Sequence, residues 1–271
     1  MKPQDELQAL KSHIKLTENG AIRRDGLELF CSTIEKVLLI DADSLLYNVA
    51  YVNKDKDLNL DYWYADFLAQ VQSIGNRIEA DGFAVMNIVY YFTACNNNFR
   101  NELLPSYKAN RETTLTSTNA RRLMYYCMGC LENSGVTVWY NDKLEADDGI
   151  SLDAIIGSND RIIVNKDKDL NQIEGSHFDY YKVKTGDVDE FGYDVKDYRG
   201  WSYTTKQEGY DLFLKQMLVG DVSDNIKGVK GVGKVGANKI VTGSNFEKLL
   251  KVARSYKDME RMRLNVKLMR L

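Results

Sequence analysis

Short apolar runs alternate with amphipathic stretches through the first three quarters of the chain. VLLID, Val37–Asp41, is aliphatic throughout and ends on an acid, the pattern of a strand buried on both faces. The spacing of apolar positions then becomes helical over about residues 44–51 and 61–80. MNIVYYF at 86–92, VTVWY at 136–140 and RIIV at 161–164 are further strand candidates with helical stretches between them, and FDYYKV at 178–183 reads as an edge strand. Strands alternating with helices predict an α/β fold built on an open, mostly parallel sheet. From about Gln207 the pattern is helical only, with Gly at 209, 220, 228, 231, 233, 236 and 243. Residues 100–126 fit neither part: they are polar and basic, and read as a mobile arch or long loop, helical in places. The chain thus divides into an N-terminal extension, 1–35, an α/β core, 36–206, that includes the arch region 100–126, and a helical subdomain, 207–271.

With 44% hydrophobic residues in 271, the chain can bury a sizeable core. No apolar run approaches the ~18–20 residues that cross a bilayer, and the opening MKPQDELQALK is unlike a signal peptide, so a soluble intracellular protein is expected. Cys127 and Cys130 form a CxxC, but the only other ligands of that kind are Cys31, Cys95, His13 and His177. Two thiols packed on a helix are the simpler reading than zinc. Chemistry based on histidine is equally poorly supplied.

NKDKDLN occurs twice, at Asn53–Asn59 and Asn165–Asn171. In a parallel sheet, ligands bind beyond the carboxyl ends of the strands. The second copy follows RIIV and meets that condition. The first follows a helical stretch, so Asp55 and Asp57 belong to a solvated connection. Other acids share the favoured position: Asp41 ends the first strand, Glu145, Asp147 and Asp148 follow VTVWY, and Asp221 and Asp224 lie in GDVSDN. With Asp167 and Asp169 these make eight carboxylates from four segments. Gathered on one edge they repel one another unless cations fill the space. All-oxygen ligands suit Mg²⁺ or Mn²⁺, and a pair of such ions ~4 Å apart suits phosphodiester hydrolysis. The formal net charge of −3 becomes +5 once those eight acids are set aside, so the acidic balance does not exclude a nucleic-acid partner.

NIKGVKGVGKVGANKI, Asn225–Ile240, contains two deceptive matches. Gly228, Gly233 and Lys234 have P-loop spacing, yet Val235 follows where Ser or Thr should hold Mg²⁺. Gly231, Gly233 and Gly236 fit the dinucleotide fingerprint without the strand that should precede it. A helix–hairpin–helix turn fits better: glycines let the backbone approach a phosphate, and Lys227, Lys230, Lys234 and Lys239 add positive charge. Such contacts hold a duplex without reading its sequence.

Motifs in this order resemble the structure-specific 5′-nucleases, the flap endonucleases and 5′–3′ exonucleases, over about residues 37–255, with bacteriophage and bacterial members looking closest. LLIDADSLLY is similar to the first acidic motif, FRNELLPSYKANR to the approach to the helical arch, and LEADDGI and NKDKDLNQI to the EADD and DxD motifs; GDVSDNIKGVKGVGKVGANKI resembles the last acidic motif with its helix–hairpin–helix. The resemblance implies a PIN-like core, a helical arch, a C-terminal helix–hairpin–helix subdomain and two divalent ions, Mg²⁺ or Mn²⁺, with K⁺ a further candidate at the hairpin turn. It assigns Asp41, Glu145 and Asp147 to a first metal site, and Asp148, Asp167, Asp169, Asp221 and Asp224 to a second site or its shell. Lys108 and Arg111 match arch residues that contact the scissile phosphate; Arg100, Arg121, Arg122, Lys227, Gly228, Lys230, Gly231, Gly233, Lys234 and Lys239 are the DNA-binding candidates. Phe99 and Tyr107 could stack on bases or pack inside.

Two positions depart from the family pattern: Thr93 stands where an Asp is usual, and Asn96 where a Lys is common. A hydroxyl is a much poorer Mg²⁺ ligand than a carboxylate, so the first metal site is expected to be weak, filled through water, or helped by Asp43. The expected function is a metal-dependent 5′-nuclease acting near the 5′ ends of branched DNA or of RNA paired to DNA in replication. The expected setting is a monomer in the cytoplasm of a bacterium or a phage-infected cell, with a polymerase or single-strand-binding protein as partner. The alternative, motivated by Thr93, is a DNA-structure-binding protein with little or no cleavage.

Overall fold

The computed structural model describes residues 34–95, 97–157, 160–181 and 200–271. The expectations for the extension before Ile34, for Asn96 and for the end of FDYYKV at 182–183 lie outside the described residues.

Six strands form one sheet: β1 (Ile34–Asp41), β2 (Phe83–Tyr91), β3 (Thr137–Trp139), β4 (Arg161–Val164), β5 (Gly175–Phe178) and β6 (Trp201–Thr204). Their order is β3-β2-β1-β4-β5-β6. β1 with β4, β4 with β5, and β2 with β3 are parallel, while β6 is antiparallel to β5. The order runs one way from β1 to β3 and the other way from β4, so the switch point lies between β1 and β4. A crevice opens there beyond the strand ends in folds of this kind.

The VLLID pattern explains the layers. Leu38 and Ile40 face one core with Tyr90, Phe92, Ile162 and Val164. Leu39 faces the other core with Val89, Tyr91 and Ile163. Helices α1 (Ala42–Val52), α2 (Leu60–Ala80) and α4 (Leu115–Asn133) cover the first face through Leu45, Phe67 and Leu123. Helix α5 (Ala146–Ile156) covers the second through Ala146 and Ile150. A strand with both faces covered needs no polar alternation.

Three expectations are corrected. The strand expected over FDYYKV lies earlier, at Gly175–Phe178, and Tyr180 and Tyr181 are in a turn. GSHF has little intrinsic β preference, but ladders to β4 and β6 on its two sides override that. The arch expected over 100–126 is a short helix, α3 (Phe99–Leu103), then a turn and an extended stretch, then the first half of α4. Thr114 and Ser117 cap α4 reciprocally, and Leu123 and Met124 are buried in the core. Finally, the C-terminal part is not helical only. Between α6 (Lys206–Val219) and α7 (Lys234–Ile240) lies a small antiparallel hairpin, β7 (Gly220–Asp221) with β8 (Ile226–Lys227). Helices α8 (Asn245–Ser255) and α9 (Met259–Met269) complete this part around Leu214, Met217, Ile226, Val252 and Leu268.

Candidate active site

The two copies of NKDKDLN part company in the structure. Asp55 and Asp57 are exposed in the turn between α1 and α2. That copy serves the helices: Asn53 caps the end of α1 and bonds Val49 O, and Asn59 caps the start of α2. In the second copy, Asn165 is buried and donates to Asp167 O at 2.7 Å. Asp167 Oδ1 accepts from Asp169 N at 2.9 Å, opening a 3₁₀ turn at Lys168–Gln172. Identical residues follow a helix in one place and a buried strand in the other, and the strand end faces the crevice.

Asp41 ends β1 and begins α1, and its Oδ2 accepts from Ser44 Oγ at 2.6 Å. Two residues on, Asp43 accepts Thr93 N on both oxygens at 3.2 Å. Thr93, just past β2, receives Ala146 N at 2.9 Å on its hydroxyl and so ties β2 to the start of α5. Glu145 is the N-cap of α5, and Asp147 and Asp148 lie in its first turn, where the helix dipole favours negative charge.

A docked turn brings the basic residues in. Lys108 has a left-handed backbone, φ 55°, and its amide donates to Asp224 O at 3.0 Å. Asn110 Nδ2 donates to Val222 O at 2.7 Å and Asn225 Nδ2 to Ser106 O at 2.8 Å. SYKANR is thereby fastened to GDVSDN, more than a hundred residues away. The Lys108 ammonium lies 2.6 Å from Glu145 Oε1 and 4.0 Å from Asp224 Oδ2. Arg111 pairs with Asp224 Oδ1. Tyr107 is buried, and its hydroxyl lies 2.8 Å from Glu145 Oε2 and 3.0 Å from Asp224 Oδ2. Burial and those two acids push its pKa up, so it stays a donor. Tyr107 therefore packs and bridges two acidic segments; it is no stacking platform. Phe99 is half-buried at the start of α3 beside the Arg100 guanidinium.

On the far side, Asp169 Oδ1 accepts from Gln216 Nε2 of α6 at 2.6 Å. Lys168 lies 3.6 Å from Asp221 Oδ2. Asp221 also receives the Ser223 hydroxyl and amide. A cleft lined by Asp147, Asp169, Asp221 and Asp224, with Arg100 and Tyr107, joins the two sides.

Electrostatics follow from crowding. Burial first, then Asp43 and Asp167, raise the Asp41 carboxyl to about 7. Burial, then Glu145 and Asp148, raise Asp147 to about 8, and burial with Asp167 raises Asp169 to about 6. Burial works against the Asp221 carboxylate, but the Ser223 hydrogen bond and Lys168 outweigh it and hold its pKa low. With Asp43 included, nine carboxylates meet the four cations Arg100, Lys108, Arg111 and Lys168. That excess, all of oxygen donors, fits hard divalent cations. Among the described residues no three of these acids stand close enough together to hold an ion in this arrangement, in which basic side chains pair with Glu145, Asp148, Asp221 and Asp224.

Residues 36–198, more than half of the chain, match the family described as 5′-3′ exonuclease, N-terminal resolvase-like domain. The chain belongs to this 5′-3′ exonuclease family. DNA polymerase I of Streptococcus pneumoniae is 29% identical over 225 residues, which are 79% of this chain and 24% of the polymerase. The chain thus spans about a quarter of the length of that relative. The 5′-3′ exonuclease of Mycoplasma genitalium is 26% identical over 210 residues, 74% of this chain and 70% of the relative. Among solved structures, bacteriophage T5 5′-exonuclease with zinc bound has a TM-score of 0.59 at 17% identity, covering 87% of this chain and 89% of that one. The bacteriophage T5 flap endonuclease in a pseudo-enzyme–product complex with DNA and metal ions has a TM-score of 0.58 at 17% identity, covering 86% and 88%. These likenesses establish the PIN-like fold, a mostly parallel sheet flanked by helices.

Within this 5′-3′ exonuclease framework, two of the sequence-based assignments need correction. Arg100, expected to meet DNA, is 2% exposed; its guanidinium forks onto Asp148 at 2.6 and 2.7 Å, and its Nε donates to Leu268 O at 2.8 Å. Asp148 is the partner of that guanidinium and also accepts the Glu145 amide. Gly228 is also a packing residue. A Cβ there would lie 2.4 Å from Gly220 N and Leu218 O, where the hairpin backbones cross. Gly231, at φ +83°, and Gly233 have open space around them, and Lys227, Lys230, Lys234 and Lys239 are exposed near them. Arg122 is exposed on α4, and exposed Arg121 reaches Tyr125 Oη and Ala94 O. Cys95, Cys127 and Cys130 are free thiols, with Cys127 buried in the core. Sequence reasoning missed Lys168 and Gln216. The first adjoins two predicted acids and could have been found; the second lies in an ordinary helical pattern and carried no signal.

Proposed function

We propose that the chain is a divalent-metal-dependent 5′-nuclease that hydrolyses phosphodiesters near the 5′ end of DNA. The observation that carries this reading is the meeting of acids from four segments around Lys108 at the sheet's switch point. The T5 relatives, described with metal ions and with DNA, support it.

Asp41, Glu145 and Asp147 would hold one ion, and Asp167, Asp169, Asp221 and Asp224 a second. When bound, Mg²⁺ or Mn²⁺ would lower the pKa of water and stabilise charge on the attacking and leaving oxygens. Lys108 and Arg111, released from Glu145 and Asp224, would receive the scissile phosphate as charge builds on it. Tyr107 keeps Glu145 and Asp224 in register throughout. Asp148 holds Arg100 and so supports α3 beneath the turn that carries Lys108.

The hairpin with Gly231, Gly233 and its four lysines would hold the duplex by its phosphates, with K⁺ a candidate at the turn. Branched DNA with a 5′ flap, or RNA paired to DNA, is the proposed substrate, and a polymerase the proposed partner in a bacterial or phage-infected cytoplasm. Among the described residues no helix is long and apolar enough to cross a membrane. A binding protein without cleavage is not favoured, because Thr93 is engaged as a tie between β2 and α5 and the acids gather without it. A panel of 5′-labelled flap, nicked and covalently closed DNA tests the reading. Divalent-dependent cuts near the 5′ end, with the closed circle spared, are expected; a circle cut as readily as the flap would refute a 5′-nuclease.

A further inference from the structure

Four neighbouring strands, β3-β2-β1-β4, end toward the acidic cluster. Three of them are followed by carboxylates that enter it: Asp41 at β1, Glu145 and Asp147 beyond β3, Asp167 and Asp169 beyond β4. β2 is followed by Thr93, Ala94 and Cys95, none of them an acid. The Thr93 hydroxyl accepts Ala146 N at 2.9 Å and also hydrogen-bonds the Asp43 carboxylate. Over that same strand end lies the Asp43 carboxylate, receiving Thr93 N at 3.2 Å on each oxygen. Asp43 comes from the first turn of α1, within electrostatic reach of Asp41, Glu145 and Lys108. Its oxygens keep lone pairs beyond those that the Thr93 amide and hydroxyl engage.

We propose that Asp43 is an ion-holding carboxylate of this site, filling from α1 the place that the end of β2 leaves without an acid, with Thr93 as the residue that positions it. The proposal rests on the nuclease reading and adds a residue to it. It also explains how a hydroxyl is tolerated at the end of β2: the charge is carried by a neighbouring element. A carboxylate present only to favour the N-terminus of α1 would matter for melting and not for ion binding.

Calorimetric titration of Mn²⁺ into DNA-free protein distinguishes these roles. Asp43→Asn keeps the shape and removes the charge, and is expected to weaken the tighter binding event by about tenfold or more. Thr93→Asp can still accept Ala146 N on one oxygen and turn the other into the cluster. Added to Asp43→Asn, it is expected to restore the affinity to within about threefold. Asp55→Asn, in the exposed turn, is the control and should bind as wild type. Unchanged Mn²⁺ affinity in Asp43→Asn overturns the proposal. A loss that Thr93→Asp does not restore also overturns it, since the two positions would not be exchanging one charge. If wild type itself binds no Mn²⁺ at millimolar concentration, the nuclease reading fails, and Asp43 with it.

Discussion

Asp167 and Asp55 occupy the same place in the same seven letters, yet only Asp167 lies past a buried strand. Asp167→Asn is expected to lower flap cleavage by about 100-fold, whereas Asp55→Asn stays within about twofold; turnover rates of the two purified variants check this. Equal losses would contradict the placement. Asp148 separates structure from chemistry in another way. Removing its carboxylate leaves the Arg100 guanidinium buried without its main partner, so Asp148→Ala should cost about 3–5 kcal/mol of stability in denaturant titration. A variant of wild-type stability with impaired ion binding would show that Asp148 belongs to the metal site after all. The strand-end acids were legible because β1, β3 and β4 could be read from apolar runs. The partners of Arg100 were not, since a lone Arg in a polar stretch carries no sign that α9 and the first turn of α5 enclose it.

At the scale of elements, VLLID, MNIVYYF, VTVWY and RIIV were readable because strands covered on both faces are apolar throughout. GSHF was not, because pairing with β4 and β6, rather than its own residues, makes it a strand. Residues 100–126 misled for a related reason: α4 buries only one stripe, so its first half reads as polar and basic. The glycine segment was legible as a turn but not as a crossing of backbones. Gly228→Ala should destabilise the protein by about 1–3 kcal/mol, because the added methyl meets backbone atoms that cannot move aside. Gly233→Ala, with open space and a φ of −95°, should melt within a degree or two of wild type. Thermal melts of both check the contrast; equal melts would mean that the hairpin adjusts freely.

For the whole molecule, the carboxylates raised by burial and by one another couple stability to pH. The folded protein holds protons on Asp41 and Asp147 up to about 7 and about 8, where the unfolded chain has already lost them. Their favourable contribution is complete below the ordinary carboxylate range and is lost as pH rises through those values. In chelator, Tm should therefore fall between about pH 5 and pH 8. Millimolar Mg²⁺ should raise Tm more at pH 8 than at pH 5, since the ion replaces protons that are no longer bound. Scanning fluorimetry at both values checks this, and an equal Mg²⁺ shift at the two would contradict a carboxylate-lined ion site.

The arrangement of acids around Lys108 has one chemical purpose in this reading, and cleavage of a 5′-labelled flap DNA across a Mg²⁺ titration tests it most directly, with wild type beside Asp147→Ala. Cuts near the flap base that rise with Mg²⁺, stop with chelator and fall by about 100-fold in Asp147→Ala are the predicted result. Cleavage that is absent in wild type, or that survives unchanged in Asp147→Ala, would contradict the assignment of the cluster as the catalytic centre.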